Sequence, residues 1–388
     1  MVSFSNRVPQ SLTSNRLAEA RVFAGEITLD LSVSNPTVCG FPYADDLLCQ
    51  LSSPDGLHYS PDPMGPHQGR RAVSHGYTNR HVLVDPGNII LTASTSEAYS
   101  LLFKLLCDPG DTIVVPTPSY PLFDQLSRLD GLETHPLPLD TEDDWRPVFG
   151  AIDAAPENTR AVIVVHPNNP TGSYIHPEDA DALALICRDR GWALIADEVF
   201  LPYPLDGGPG ARNTFAARND VLTFTLGGLS KSAGLPQLKL AWIAVSGPDD
   251  LVDEAIDRLS YIADAYLSVS TPVALASGYI LAASEIVRNA IAARCRNNLA
   301  ILREMAASQP AITVPPVGGG WSALVRLPAV LDDEEIAIKL LTERGVLVQP
   351  GFLFDLPTDG TLVLSLLTPE PIWRKGLEEI FTAVQSWL

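Results

Sequence analysis

Residues 220–247, DVLTFTLGGLSKSAGLPQLKLAWIAVSG, decide the fold. They read as two short strands, DVLTFTLG and LKLAWIAVSG, joined by a segment that sets Gly227, Gly228 and Gly234 around Lys231. Both strands are almost continuously apolar, the pattern of strands covered on both faces. Two of the chain's five lysines, Lys231 and Lys239, lie in this one segment. A cation in apolar surroundings is costly unless it is paired or used.

Working outward, the same kind of run recurs as NIILTA (88–93), DTIVVPTP (111–118), RAVIVVHP (160–167) and WALIADEVF (192–200). Between the runs come helical patterns such as PEDADALALICRDRG, apolar at helical spacing and stopped by Gly191. Buried strands alternating with helices predict an α/β fold, a largely parallel sheet with helices on both faces. After about residue 270 the character changes. A long helical stretch over 271–308 leads to VGGGWSALVRLP, a helix around 332–344, GVLVQPGFLF and GTLVLSLLTPE. The expected organisation is an N-terminal arm with part of a small domain (1–45), a large domain (46–270) and a small α+β domain (271–388).

The composition narrows the class. The chain has 388 residues, 46% hydrophobic and 19% charged, a globular balance. No apolar run reaches the ~18 residues of a spanning helix, so no membrane insertion is expected. A net charge of −20 argues against nucleic-acid partners and anionic membranes. Five scattered cysteines form no CxxC pair, and the histidines show no metal-ligand spacing. The expectation is a reducing compartment, the cytoplasm, with no metal.

In such sheets ligands bind beyond the carboxyl ends of the strands, so the residues there carry the function. NIILTA is followed by Ser94, Thr95 and Ser96 at a helix start, which can cap the helix or present donors to an anion. TIVVP is followed by Pro118-Ser119-Tyr120-Pro121, an aromatic available to stack or to pack. AVIVVHP is followed by Asn168-Asn169-Pro170-Thr171-Gly172, a strong turn in which Pro and Gly are explained but two Asn are not. WALIA ends in Asp197-Glu198, and a carboxylate at a buried strand end needs a partner. No GxGxxG, GxxxxGK[ST] or GxSxG is present, which removes the dinucleotide, P-loop and α/β-hydrolase readings.

Taken in order, the hydroxyl-rich turn, Pro-Ser-Tyr, NNPTG, ADEV and LSK resemble the class I/II aminotransferases, the fold-type I pyridoxal 5'-phosphate (PLP) enzymes. The resemblance implies a large domain on a mostly parallel seven-stranded sheet plus a smaller α+β domain. It implies that Lys231 forms the Schiff base with PLP and moves a proton. It further implies that Asp197 pairs with the pyridine nitrogen, Asn169 bonds the ring oxygen and Tyr120 stacks on the ring. Ser94, Thr95, Ser96, Ser230 and Lys239 would hold the phosphate, with Gly227 and Gly228 leaving the cofactor room. Tyr59, in HYSPDPMG, would reach the phosphate of a neighbouring subunit, implying a homodimer with shared sites. The implied reaction is transfer of an amino group from an amino donor to a keto or aldehyde acceptor. Another PLP reaction, by a decarboxylase, lyase or cyclase, is the alternative.

Three positions depart from the family pattern. Lys239 stands where arginine is usual, and binds phosphate as a point charge. Phe200 stands where a tyrosine hydroxyl usually bonds the ring oxygen, and Tyr203 is the candidate to replace it. In LVLSLL (362–367), Val363 occupies the place of the usual arginine for the substrate carboxylate. Arg326 and Asn35 are the candidate substitutes; otherwise the substrate lacks a carboxylate there.

Overall fold

A computed structural model describes residues 4–9, 13–25, 27–211, 213–328 and 332–387. In chain order the strands are β1 (Leu29–Asp30), β2 (Ile89–Thr92), β3 (Thr112–Thr117), β4 (Glu133–Asp140), β5 (Arg146–Pro147), β6 (Thr159–Val165) and β7 (Ala193–Asp197). They continue as β8 (Thr223–Gly228), β9 (Ala241–Ser246), β10 (Ser322–Arg326), β11 (Val346–Leu347), β12 (Gln349–Pro350) and β13 (Thr361–Ser365). The main sheet runs β2-β9-β8-β7-β6-β3-β4-β5. Its centre, β8 through β4, is parallel, whereas β9 is antiparallel to both of its neighbours.

The apolar runs follow from burial on both faces. Along β6, Ala161, Ile163 and Val165 join a core with Phe103, Phe224 and Leu259, under helices Thr95–Leu106 and Asp249–Asp264. Val162 and Val164, pointing the other way, join a core with Leu183 and Cys187 of helix Pro177–Arg190. Gly191 ends that helix at φ +68°, as the sequence predicts.

The three-stranded sheet β10-β13-β12 is packed by helices Glu285–Ala307, Asp333–Arg344 and Glu370–Trp387 around Trp373, which is fully buried. The N-terminal segment joins this unit, because β1 pairs in parallel with β11.

Three details differ from the sequence reading. The main sheet has eight strands and not seven, since the two-residue β5 adds an antiparallel edge to β4. β4 itself, ETHPLPLD, hides its strand character behind two prolines, which are tolerated near a sheet edge. The long helical stretch bends at Ser284 (ψ 0°) into helices Thr271–Ala283 and Glu285–Ala307. Arg288, in the first turn after the bend, donates to the carbonyls of Leu281 and Ser232, both at 3.0 Å, and so ties the bend to the Lys231 segment.

Candidate active site

Adjacent strands bring the sequence candidates to one sheet edge. Val165 lies beside Asp197 in register, and Asp197 beside Leu226, so the turns after β6, β7 and β8 converge. Lys231 sits on the short helix Leu229–Ser232 that follows β8. Its Nζ lies 5.0 Å from the ring centre of Trp321 and 5.4 Å from that of Phe200. Burial pushes its pKa below the usual lysine range, opposed by the charge of Asp197. Lys239 is not the cause: it stands exposed in the left-handed region at φ +51°, without a hydrogen-bond partner among the described residues.

Asp197 is buried at the end of β7. Its Oδ1 accepts from Val199 N and its Oδ2 from the Tyr99 hydroxyl, both at 3.1 Å. No salt bridge reaches it among the described residues. Burial therefore pushes its pKa up, against the pull of those two donors and of Lys231. A buried carboxylate with hydrogen bonds but no counter-ion is a site for a cation. Tyr99 was not singled out from sequence, where it is one aromatic in an apolar helix. It lies one turn beyond the Ser94–Ser96 start, which brings its hydroxyl under β7.

The two asparagines separate. Asn168 is buried and structural: its Nδ2 donates to Pro118 O at 3.0 Å and to Thr171 Oγ1 at 3.1 Å. Asn169 is half-buried, and among the described residues its side chain keeps only a long 3.5 Å contact, from Ser322 Oγ of β10. Its amide is thus available to a ligand.

Ser94 caps helix Thr95–Leu106, accepting from Glu97 N at 3.1 Å, while Glu97 Oε2 accepts from Ala93 N at 2.6 Å. This reciprocal capping box leaves the backbone N–H groups of Thr95 and Ser96 without intrahelical partners, ready for an anion. Ser230 is half-buried beside Lys231, and Tyr120 and Tyr59 are exposed.

The expectations for Gly227 and Tyr203 are corrected, and Arg326 and Asn35 have the following surroundings. Gly227 leaves no room for a ligand: a Cβ there would meet the Trp242 ring at 2.6 Å. At Gly228 a Cβ would lie 3.1 Å from Ala241 Cβ, a tight but milder contact. Tyr203 does not stand in for the hydroxyl missing at Phe200, because it donates to the Lys231 carbonyl at 2.5 Å. Arg326 lies four residues along β10 from Ser322, about 13 Å at strand rise. Its guanidinium packs 5.7 Å from the Trp145 ring, with Glu142 3.9 Å away. Asn35 uses its side chain to cap residues 36–38, accepting from Thr37 N at 3.1 Å and from Thr37 Oγ1 at 2.8 Å.

These residues fit PLP: a buried anion for the pyridinium, a depressed lysine for the aldehyde, and open helix N–H groups for the phosphate. Fold and site together define a fold-type I PLP enzyme. The family model for aminotransferase class I and II matches residues 29–372. A glutamate-pyruvate aminotransferase AlaA of Haemophilus influenzae is 26% identical over 90% of this chain and 88% of its own. Capreomycidine synthase of Streptomyces vinaceus is 30% identical over 96% of this chain and 94% of its own. The solved alanine aminotransferase from Pyrococcus furiosus superposes with a TM-score of 0.88 at 21% identity, over 99% of this chain and 100% of its own. The chain belongs to the class I/II aminotransferases and is a PLP-dependent aminotransferase.

Proposed function

We propose that Lys231 holds PLP covalently and that the chain moves an amino group from a small amino donor to a keto or aldehyde acceptor. The observation that carries this is the pairing of a lysine depressed by burial with the buried, counter-ion-free Asp197 on the neighbouring strand end. When bound, PLP supplies the electron sink that makes the donor's Cα–H acidic. A neutral Lys231 amine can attack an aldehyde and afterwards carry the proton released at Cα. Asp197 keeps a positive charge on the pyridine nitrogen, and Asn169 donates to an oxygen of the bound ring. The N–H groups of Thr95 and Ser96, with Ser94, Ser230 and Lys239, would hold the phosphate, and Tyr120 would stack on the ring. We also propose the domain division at about residues 45 and 270, with the site between the two units.

The donor's carboxylate is the feature that decides the substrate. Ser322 touches Asn169, and along the same face come Leu324 and its cross-strand neighbour Val363. Those two residues are packed into an apolar cluster with Leu139, Trp145, Phe354 and Leu356. No guanidinium lines this face before Arg326, which packs on Trp145 near Glu142 and keeps a buried Nη2 without a hydrogen bond among the described residues. A charge-assisted pair contributes about 1.5–3 kcal/mol, a factor of roughly 10 to 150. Donors with and without an α-carboxylate are therefore expected to differ by less than about tenfold in kcat/KM. The check is a panel of amino acids, amines and amino alcohols, scored by conversion of the cofactor to its amine form. A hundredfold preference for carboxylates would contradict this wall as the carboxylate's environment. The same wall, and the relative named a synthase, favour the second reading, another PLP reaction. Release of carbon dioxide or another fragment, without formation of the amine form of the cofactor, would establish it.

We further propose a homodimer in the cytoplasm. Tyr59 is 76% exposed and lines an open cleft with Glu97 and Ser268, beside the exposed Tyr266 and Leu267. No described helix is long and apolar enough to cross a membrane. Sedimentation should give twice the chain mass of 41.8 kDa, and Tyr59→Phe should weaken PLP binding several-fold. A monomer with full activity would overturn the shared site. Fractionation of the source cells tests the compartment.

A further inference from the structure

We propose that Trp321 is a hydrogen-bonding residue of this active site, its indole N–H donating to an acceptor oxygen of the molecule held at Lys231. The inference rests on the reading of Lys231 given above. Trp321 is 4% exposed, yet its Nε1 is buried without an acceptor among the described residues. Two other buried indoles are satisfied: Trp242 donates to the Tyr77 hydroxyl at 3.3 Å, and Trp373 donates to Asn298 O at 2.9 Å.

Its neighbours do not satisfy it. Phe200 and Tyr203 meet the Trp321 ring edge-on at 5.3 Å and 5.0 Å. Phe200 has no polar atom, and the Tyr203 hydroxyl is engaged with the Lys231 carbonyl. Lys231 Nζ lies 5.0 Å from the indole centre, with no hydrogen bond between the two.

The backbone fixes the indole in place. Gly319 N donates to Gly172 O and Gly320 N to Tyr203 O, both at 2.9 Å, while Leu366 N donates to Trp321 O at 2.8 Å. A Cβ on Gly319 would come within 2.4 Å of the Tyr174 hydroxyl, and one on Gly318 within 2.9 Å of Gly207 O. The Gly318–Gly320 run thus lets this segment press against the NNPTG turn and deliver Trp321 to Lys231, one residue before Ser322 meets Asn169. A donor desolvated and held this close to the reacting amine is matched by an acceptor that the ligand brings.

Two oxygens have the right chemistry: the ring oxygen of PLP and an oxygen of the donor. The test is Trp321→Phe, which keeps the ring and removes the N–H. If the acceptor is the cofactor's oxygen, loss of the donor destabilises its anionic form. The pH of the visible spectral transition of the holoenzyme then rises by roughly one to two units. If the acceptor belongs to the donor, that transition stays put and KM rises about tenfold or more with little change in kcat. Either result supports the proposal, and a variant with both quantities unchanged overturns it. If the variant does not fold, wild-type protein carrying ¹⁵N-labelled indoles gives the answer. Loading PLP and then donor should shift one of the six indole N–H signals, and six unmoved signals would overturn the proposal. Absence of a reducible PLP attachment at Lys231 in wild type would instead remove the reading beneath it, so the two failures are separable.

Discussion

Lys231→Ala is expected to lose at least about 10⁴-fold in turnover and to hold PLP only by reversible contacts. The substitution removes the nucleophile and the proton carrier together. No other lysine stands beside Asp197: three of the remaining four have partners of their own, and the fourth, Lys239, is assigned to the phosphate. Lys104 is paired with Asp130, Lys375 lies 2.9 Å from Glu379, and Lys339 packs 5.1 Å from the Trp387 ring. Lys239 is exposed, unlike Lys231. The fold should survive, since the Tyr203 hydroxyl bonds the Lys231 backbone carbonyl and not its side chain. Turnover and the mass of the borohydride-treated variant check this. A variant that still gains the cofactor's mass would show that another amine does the work.

Asp197→Asn separates charge from shape. The amide is isosteric, and its oxygen can still accept from Val199 N or the Tyr99 hydroxyl. What disappears is the buried negative charge opposite the pyridine nitrogen. Stabilisation of this kind in a water-excluded site is typically worth about 10²–10³-fold in rate, and a loss of that size is expected. Stability should move the other way. Burial raises the pKa of Asp197 in the cofactor-free protein, meaning that the ionised form is held there at a cost. Its contribution to stability is complete when the group is protonated, and is lost as pH rises above the ordinary carboxylate range. Near neutral pH the cofactor-free Asn variant should therefore melt at the same temperature or higher, with the difference vanishing in acid. Activity within about tenfold of wild type would mean that no cation meets this carboxylate.

Much of this was legible because the chemistry sits at strand ends. Continuous apolar runs forecast β6, β7 and β8, and the polar residues immediately after them are the ones that converge. Lys231, Asp197 and Asn169 stand at those ends, within a few residues of a strong strand signal. The partners were not legible, because they come from far along the chain. Tyr99 bonds Asp197 across 98 residues, and Ser322 meets Asn169 across 153. Neither carries a local signature, since a tyrosine in an apolar helix reads as core. The asparagine pair could not be divided from sequence, as only the loop's hydrogen bonds show that Asn168 builds the turn. Gly227 misled for a similar reason: its missing side chain serves Trp242 on the next strand, a contact set by register. Arg326 was legible only by its segment; what the sequence does not show is that its guanidinium lies against Trp145 with a buried, unpartnered Nη2 among the described residues.

The most direct measurement is borohydride reduction of the wild-type holoenzyme, followed by peptide mass mapping. One modified lysine is expected, Lys231, in the peptide that carries LGGLSK, with the cofactor's mass added and the yellow colour lost. Modification of Lys239 or any other lysine, or no covalent mass at all, would contradict the assignment of Lys231 as the residue that holds PLP.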